Sequence, residues 1–315
     1  MRVLVTGGCG FIGSHFVKRL VSAGDAVVVL DLLTYAGNPV NLAGVPHDFV
    51  HGDVADAETV RAAAEGCDAV VNFAAETHVD RSILGGGEFV HTNVAGTQVL
   101  LEWVRRAGVR FVQVSTDEVY GDVPQGASSE SDPLRPSSPY AASKASADLL
   151  VLAYLRTFGI DASITRGSNA YGPFQYPEKL VPLFITNALE GRPLPVYGDG
   201  RQRRTWAYVE DQCAAINLVL RNGRAGEIYN VGGDERENLE LSRLILDLTG
   251  SSPDLVEHVE DRPGHDRRYR VDSSRIESLG WSPAASLEEG LDRTVDWYRE
   301  RRDWWAPLKA GEAAA

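Results

Sequence analysis

Three cysteines in 315 residues, Cys9, Cys67 and Cys213, are odd in number and far apart. They suit neither a disulfide framework nor a zinc site, so no metal is expected and a reducing cytoplasm fits the chain. Positive charge is also short: 31 Lys and Arg stand against 44 Asp and Glu, a formal net charge of −13. That balance disfavours nucleic acid and anionic membrane surfaces as partners, while leaving room for a small anion held by arginines grouped in a cleft. No apolar run is long enough to cross a bilayer. Met1 and Arg2 lead straight into apolar residues 3–5 without the layout of a signal peptide, so a soluble, unprocessed chain is expected. Repeats and low-complexity segments are missing, and lysine is nearly so: Lys18, Lys144, Lys179 and Lys309 are the whole set.

What is present is a hydrophobic content of 43%, enough for one large domain or two intimate ones. Short β-branched runs alternate with amphipathic stretches: 3–5, 11–23, 26–30, 57–65 and 69–72, then a helix over 93–107, a strand over 111–115, a helix over 140–158 and a strand over 162–166. This is βαβ alternation, and continuous apolar strands belong to a parallel sheet covered on both faces, hence a doubly wound α/β fold. After Arg166 the alternation fades into Tyr171-Gly172-Pro173 and Gly191-Arg192-Pro193-Leu194-Pro195, the entry to a smaller, looser substrate-binding domain. A strand over 227–231 returns to the sheet. The last helix, about 287–302, ends in Trp304-Trp305 and a frayed Ala-rich tail.

Between the first strand and first helix stand Gly7, Gly10, Phe11, Ile12 and Gly13. The three glycines let backbone N–H groups approach a pyrophosphate at a helix N-terminus, although a tight turn without ligand can look the same. Asp31 tips the balance. It closes the second strand, eighteen residues beyond Gly13, where an acid accepts hydrogen bonds from ribose hydroxyls. An acid repels a 2′-phosphate, and Leu32 and Leu33 follow it rather than an arginine, so NAD is favoured over NADP. Asp53 and Val54, after the third strand, are placed to contact adenine.

Tyr140 and Lys144 lie four apart at the start of a helix and share a face. Tyrosine, with a reference pKa of about 10, acts as a base at neutral pH only where cations favour its phenolate, as Lys144 and a positive nicotinamide would. A helical surface pair is the competing reading. Asp117 and Glu118 follow the strand at 111–115, at the sheet edge where open α/β folds bind ligands. Two neighbouring carboxyls in a partly dry cleft separate into one acid and one base, the pair that elimination of water requires. In isolation they equally fit the cap of a following turn.

At this point the chain resembles the dTDP-glucose 4,6-dehydratases of the extended short-chain dehydrogenase/reductase family. The likeness runs almost end to end, through LDLLTYAGN at 30–38, FAAETHVDRS at 73–82, VSTDEVYG at 114–121, Tyr140 to Lys144, TRGSNAYGP at 165–173, PEKL at 177–180 and RPGHDRRYRVD at 262–272. It implies a Rossmann domain over 1–168, with a return of chain at about 206–235, and a nucleotide-sugar-binding domain over 169–205 and 236–315. It implies NAD, held also by Thr34, Ala74, Ala75, Asn93 and Ala170. Tyr140 would take the 4-hydroxyl proton, Thr116 would bond the 4-oxygen, Glu118 would remove the C5 proton and Asp117 would protonate the departing C6 hydroxyl. His78, Asn169, Lys179, Leu180, Pro195, Val196, Tyr197, Arg204, Asn238, Arg262 and His265 fall where the family holds its nucleotide sugar. Without the resemblance Arg201, Arg203, Arg204, Arg267 and Arg268 read as solvated charge.

Three positions depart from the family: Ala170 in place of an asparagine, Thr205 in place of an aspartate and Gln212 in place of a histidine. The nearest rival is a related nucleotide-sugar epimerase or decarboxylase, which shares Tyr140 and Lys144 but has no use for the Asp117-Glu118 pair. A more distant one is a dinucleotide sensor without catalysis. The helices at 93–107 and 140–158, with Val99, Leu100, Leu149 and Leu152, are expected to pair into a homodimer as in relatives.

Overall fold

The computed structural model describes residues 1–312. The first half alternates as expected: β1 (Arg2–Thr6), α1 (Phe11–Ser22), β2 (Ala26–Asp31), β3 (Asp48–His51), α2 (Ala57–Ala64), β4 (Ala69–Asn72), α3 (Val79–Leu84), α4 (Gly87–Phe89), α5 (Thr97–Ala107), β5 (Arg110–Thr116), α6 (Pro139–Phe158) and β6 (Ala162–Gly167). Then come β7 (Asn169–Tyr171), α7 (Leu180–Glu190), β8 (Leu194–Tyr197), β9 (Arg203–Tyr208), α8 (Val209–Asn222), β10 (Ile228–Val231), β11 (Asp234–Glu237), α9 (Asn238–Thr249), β12 (Val256–Val259), α10 (Ser274–Ser278), α11 (Leu287–Glu300) and α12 (Arg302–Glu312).

Seven strands form one parallel sheet in the order β10-β6-β5-β4-β1-β2-β3. Side chains alternate across it, as the two-residue period of a strand requires. Val3 and Val5 of β1 join a core with Phe16, Val17 and Leu20 of α1 and Ile216 and Val219 of α8. Leu4 between them joins the opposite core with Leu100, Leu101 and Val104 of α5 and Val151 of α6. Both faces are thus covered, and the run from Val27 to Leu30 is apolar throughout because either face needs it. Winding reverses between β1 and β4, and the crevice at that switch, beyond the carboxyl ends of the strands, is the ligand position in such sheets.

The second half was less legible. Strands β11, β9 and β7 make a three-stranded sheet and β12 and β8 a parallel pair. The part expected to be looser is not: Phe184, Leu194, Leu241, Ile245, Leu291 and Tyr298 belong to the same continuous core as Val3 and Phe16. The helix expected from residue 93 opens as a π-helical stretch, Val90–Gly96, before α5. Gly96 lies against Val54, which a Cβ would approach to 2.6 Å, and Thr97 bonds back to the Asn93 carbonyl. The last helix also differs from expectation. It stops at Glu300, and α12 carries Trp304 and Trp305 back into the core, their Nε1 atoms donating to Asn41 Oδ1 and the Tyr298 carbonyl at 3.0 and 2.7 Å. Of the Ala-rich end, expected to fray, 313–315 lie outside the described residues.

Candidate active site

Gly7 has φ +66°, and a Cβ there would sit 2.7 Å from the Ala74 nitrogen; at Gly13 one would sit 2.2 Å from the Gly7 oxygen. Only glycine allows the turn to fold so tightly under the sheet edge. Gly10 precedes α1 and brings no side chain to cap it, so the first backbone N–H groups of the helix, with their positive dipole end, face the cleft. Asp31 is buried and accepts from Cys9 N and Leu33 N, each at 2.8 Å. Burial raises its pKa while those two backbone N–H bonds lower it, and each oxygen keeps a lone pair for a ribose hydroxyl. Leu32, Thr34, Asp53, Val54, Ala74 and Ala75 line the same cleft, as do Phe11, Ile12 and Ala170. This glycine cradle, open helix end and buried acid fit a dinucleotide.

Asn93 is placed differently. It is buried outside the cleft lining, accepting from Glu76 N at 2.9 Å and donating to the Glu76 carbonyl and to Ser143 Oγ. It fixes the backbone at Glu76, which does line the cleft.

At the other end, β5 delivers Thr116 and then turns once through Asp117–Tyr120. Helix α6 begins beside it, with Pro139 in its first turn and Ser138 Oγ capping Ala141 N at 3.1 Å, so that Tyr140 emerges at the rim. Tyr140 lines the cleft with Thr116 and feels both Glu118 and Asp117. Burial first, then the Glu118 charge, holds the phenol well above its ordinary pKa. Lys144 Nζ donates to the Val114 carbonyl at 2.7 Å, and burial pushes its pKa down to about 8 against the pull of Asp148. Asp148 in turn bonds Arg166 at 2.9 Å, a fully buried pair one turn along α6.

The two carboxyls, expected to separate into an acid and a base, are both raised by burial but meet different neighbours. Asp117 is 2% exposed, and burial, then the Glu118 charge, lifts its pKa to about 7. Glu118 is also raised by burial, but Arg204, Arg262 and Lys179 pull it back. Those three cations come from β9, from the 260–268 segment and from the residue ahead of α7, so the fold gathers around one carboxylate what the sequence scatters over 84 positions, Lys179 to Arg262. Lys179 donates to the Thr77 carbonyl at 2.8 Å, Arg204 lies over the Tyr269 ring at 4.3 Å, and Arg262 pairs with Asp80 at 3.2 Å. Tyr197 reaches the same Asp80 at 3.4 Å and meets the His265 ring edge-on, while His265 pairs with Asp261 at 2.6 Å.

His78 accepts from Arg81 N as the cap of α3 and faces Glu178 at 3.5 Å. Asn169 lines the cleft. His78, Asp117, Leu180, Pro195, Val196, Tyr197, Arg204, Asn238, Arg262 and His265 lie outside that lining, and Val196, 2% exposed, gives its side chain to the core. Arg204 and Arg268, which composition alone makes solvated, are buried; Arg268 bonds Glu235 and the carbonyls of Val123 and Gly126. Thr205 donates to the Tyr269 carbonyl at 3.1 Å. Sequence reasoning passed over Asp80, Glu178, Gln175 and the Asp148–Arg166 pair. Asp148 had a signal, since it stands one turn beyond Lys144 on the same helical face.

The sequence signature of the family described as GDP-mannose 4,6 dehydratase matches residues 4–294. The chain belongs to that family. It is 53% identical to a dTDP-glucose 4,6-dehydratase of Streptomyces niveus, covering 100% of this chain and 97% of the relative. Among solved structures, the Streptomyces venezuelae dTDP-glucose 4,6-dehydratase with NAD and dTDP bound superposes with TM-score 0.96 at 55% identity, covering 98% of this chain and 100% of that one. A UDP-glucose 4-epimerase of Thermotoga maritima shares the fold at TM-score 0.90 and 32% identity, covering 95% and 99%. The doubly wound architecture of these family structures is the one seen here.

Proposed function

We propose that the chain is an NAD-dependent hydro-lyase that converts dTDP-glucose to dTDP-4-keto-6-deoxyglucose and water. The observation that carries this reading is the placement of Asp117 and Glu118 side by side where β5 ends: Asp117 is buried and feels the Glu118 charge, while Glu118 lines the cleft and feels Arg204, Arg262 and Lys179. Epimerisation at C4 needs no acid for a leaving hydroxyl, so this pair argues for the dehydratase over the epimerase. Both the family relatives and the glycine cradle with Asp31 support NAD as the cofactor.

Bound NAD would supply the hydride acceptor for oxidation at C4 and the donor for reduction at C6. Tyr140, beside Thr116 in the cleft, receives the 4-hydroxyl proton; burial and the Glu118 charge hold its pKa up, and the cations Lys144 and a positive nicotinamide would favour its phenolate. The 4-ketone acidifies C5–H, Glu118 removes that proton, and Asp117 delivers its own to the C6 hydroxyl as it leaves. Arg204, Arg262 and Lys179 suit the diphosphate of the nucleotide. The nucleotide-sugar part is assigned to 169–205 and 236–315, the dinucleotide part to 1–168 with the chain returning at about 206–235.

A homodimer through α5 and α6 belongs to the same proposal. Leu149, 57% exposed, and the half-buried Val99 and Leu152 remain candidates, whereas Leu100 is taken up by the chain's own core. Light scattering that gives a monomeric mass would reject it. A cytoplasmic location is assigned with it. No helix among the described residues is long and apolar enough to cross a membrane.

The reaction is tested by incubating the purified chain, without added NAD, with dTDP-, UDP- and GDP-glucose and following loss of one water by mass. Product from dTDP-glucose alone is expected. No water loss with any of the three, even after NAD is supplied, would move the assignment to the epimerase or the sensor.

A further inference from the structure

Three side-chain carboxamides stand around one end of the cleft. Asn169, Gln175 and Gln212 all line it, and in each the carbonyl oxygen is buried with no hydrogen-bond partner among the described residues. A buried acceptor left unpaired is destabilising, and native folds keep few of them except where a ligand completes the set. Two of the three are oriented by their nitrogens. Gln175 Nε2 donates to the Ala170 carbonyl at 2.9 Å. The Gln212 amide packs so closely on Gly167 that a Cβ there would be 1.9 Å from Nε2. With the nitrogens turned to the backbone of 167–170, the oxygens lie on the other side of each amide.

The register of the sheet identifies which end of the cleft this is. Gly167 is the strand partner of Thr116, which lines the cleft with Tyr140, whereas Asp31 and Asp53 lie across β1 and β2 at the far end. The carboxamides therefore surround the reacting end. Unpaired acceptors call for N–H donors, and a primary amide on an aromatic ring offers two from one nitrogen. The resemblance gives Asn169 to the sugar, which leaves the other two for the ring.

Resting on the NAD reading, we propose that Gln212, together with Gln175, accepts hydrogen bonds from the carboxamide N–H groups of the bound nicotinamide and so fixes which ring face is turned to the substrate. A half-turn of the ring about its bond to ribose carries the carboxamide away from both acceptors, so the pair favours one face. Gln212 is then a positioning residue reached from α8, a helix otherwise committed to packing against the sheet.

Equilibrium competition on the purified full chain tests this, with NAD set against ADP-ribose, which lacks the nicotinamide, and against the acetylpyridine analogue of NAD, whose methyl ketone has no N–H. The variant is Gln212→Met, similar in length and without an acceptor oxygen. The preference of the wild type for NAD over either competitor is expected to shrink about five- to tenfold in the variant, the size of one neutral hydrogen bond. A structural role alone would weaken all three ligands together and leave the ratios unmoved, and that result would overturn the inference. Wild-type chain that binds no NAD would instead remove the cofactor reading beneath it.

Discussion

Asp117→Asn separates what this residue does for the reaction from what it does to the fold. The carboxyl has an ordinary pKa of 3.8 and is raised to about 7 where it stands, so the folded chain binds its proton more tightly than the unfolded chain does. The sign follows from linkage: nothing is lost below about pH 4, stability declines as pH rises from there through about 7, and the full penalty persists above. That penalty is on the order of 4 kcal/mol, an upper figure for a side chain only 2% exposed. Asparagine carries no charge to bury. The variant should therefore melt several degrees above wild type at pH 8 and lose the fall in thermal midpoint between pH 5 and pH 8 that this carboxyl contributes.

Catalysis should move the other way. Asparagine cannot deliver a proton to the departing hydroxyl, so elimination should slow by a factor of about 10² to 10⁴, the usual worth of a general acid. Oxidation at C4 does not use that proton and should survive. In a single turnover with dTDP-glucose, absorbance at the reduced-nicotinamide band should rise and stay high, while mass analysis finds little dehydrated sugar. If the variant keeps the pH dependence of wild-type stability, or if its oxidation falls as far as its elimination, the assignment of Asp117 as a buried, proton-carrying acid is wrong.

Glu118→Gln should also oxidise C4 and then stall, but with a different signature: solvent deuterium should no longer enter C5, as it still can in Asp117→Asn. Tyr140→Phe should block the first oxidation, with at least a hundredfold loss and no reduced-nicotinamide signal in a stopped-flow trace. Arg204 lowers the pKa of both Asp117 and Glu118, so Arg204→Met should raise KM for the nucleotide sugar and move the alkaline limb of kcat/KM, where the Asp117 proton is lost, to higher pH. An alkaline limb that stays in place would show that Arg204 acts on the diphosphate only.

The parts of this fold that the sequence makes legible are those in which one local rule suffices. β2 is buried on both faces and therefore reads as a bare apolar run, and the Gly7 to Gly13 turn is legible because a Cβ at either end would strike backbone. Asp117, Glu118, Tyr140 and Lys144 are each read from a neighbour within four positions. Legibility fails where a role depends on the partner rather than the residue. Asn93 has the composition of a cofactor contact, yet its amide is taken by both backbone groups of Glu76. Trp304 and Trp305 follow a helix that ends, and nothing local says that Asn41, 263 residues earlier, will receive one of their N–H groups. The arginines show the limit most clearly: Arg204 and Arg267 are alike in sequence context, but one is 5% exposed beside two carboxyls and the other pairs with Asp199 at the surface.

That contrast bears on how the proposed acid and base chemistry would run side by side. Asp117 and Glu118 are adjacent in sequence and both are pushed up by burial, so neither burial nor position alone makes them different. Arg204 reaches both carboxyls, but Arg262 and Lys179 act on Glu118 in addition, while Asp117 feels the Glu118 charge as its second-largest push upward. In the proposed mechanism Arg204 and Arg262, from β9 and the 260–268 segment, would favour Glu118 as the base, and that base once ionised would help to keep its neighbour an acid. A nucleotide diphosphate drawn to those same cations would compete for them with Glu118 and raise its proton affinity. Binding the nucleotide and tuning the base are on this view one electrostatic arrangement, and a bound dTDP without sugar should shift the Glu118 titration upward in a carboxyl-resolved NMR or infrared measurement.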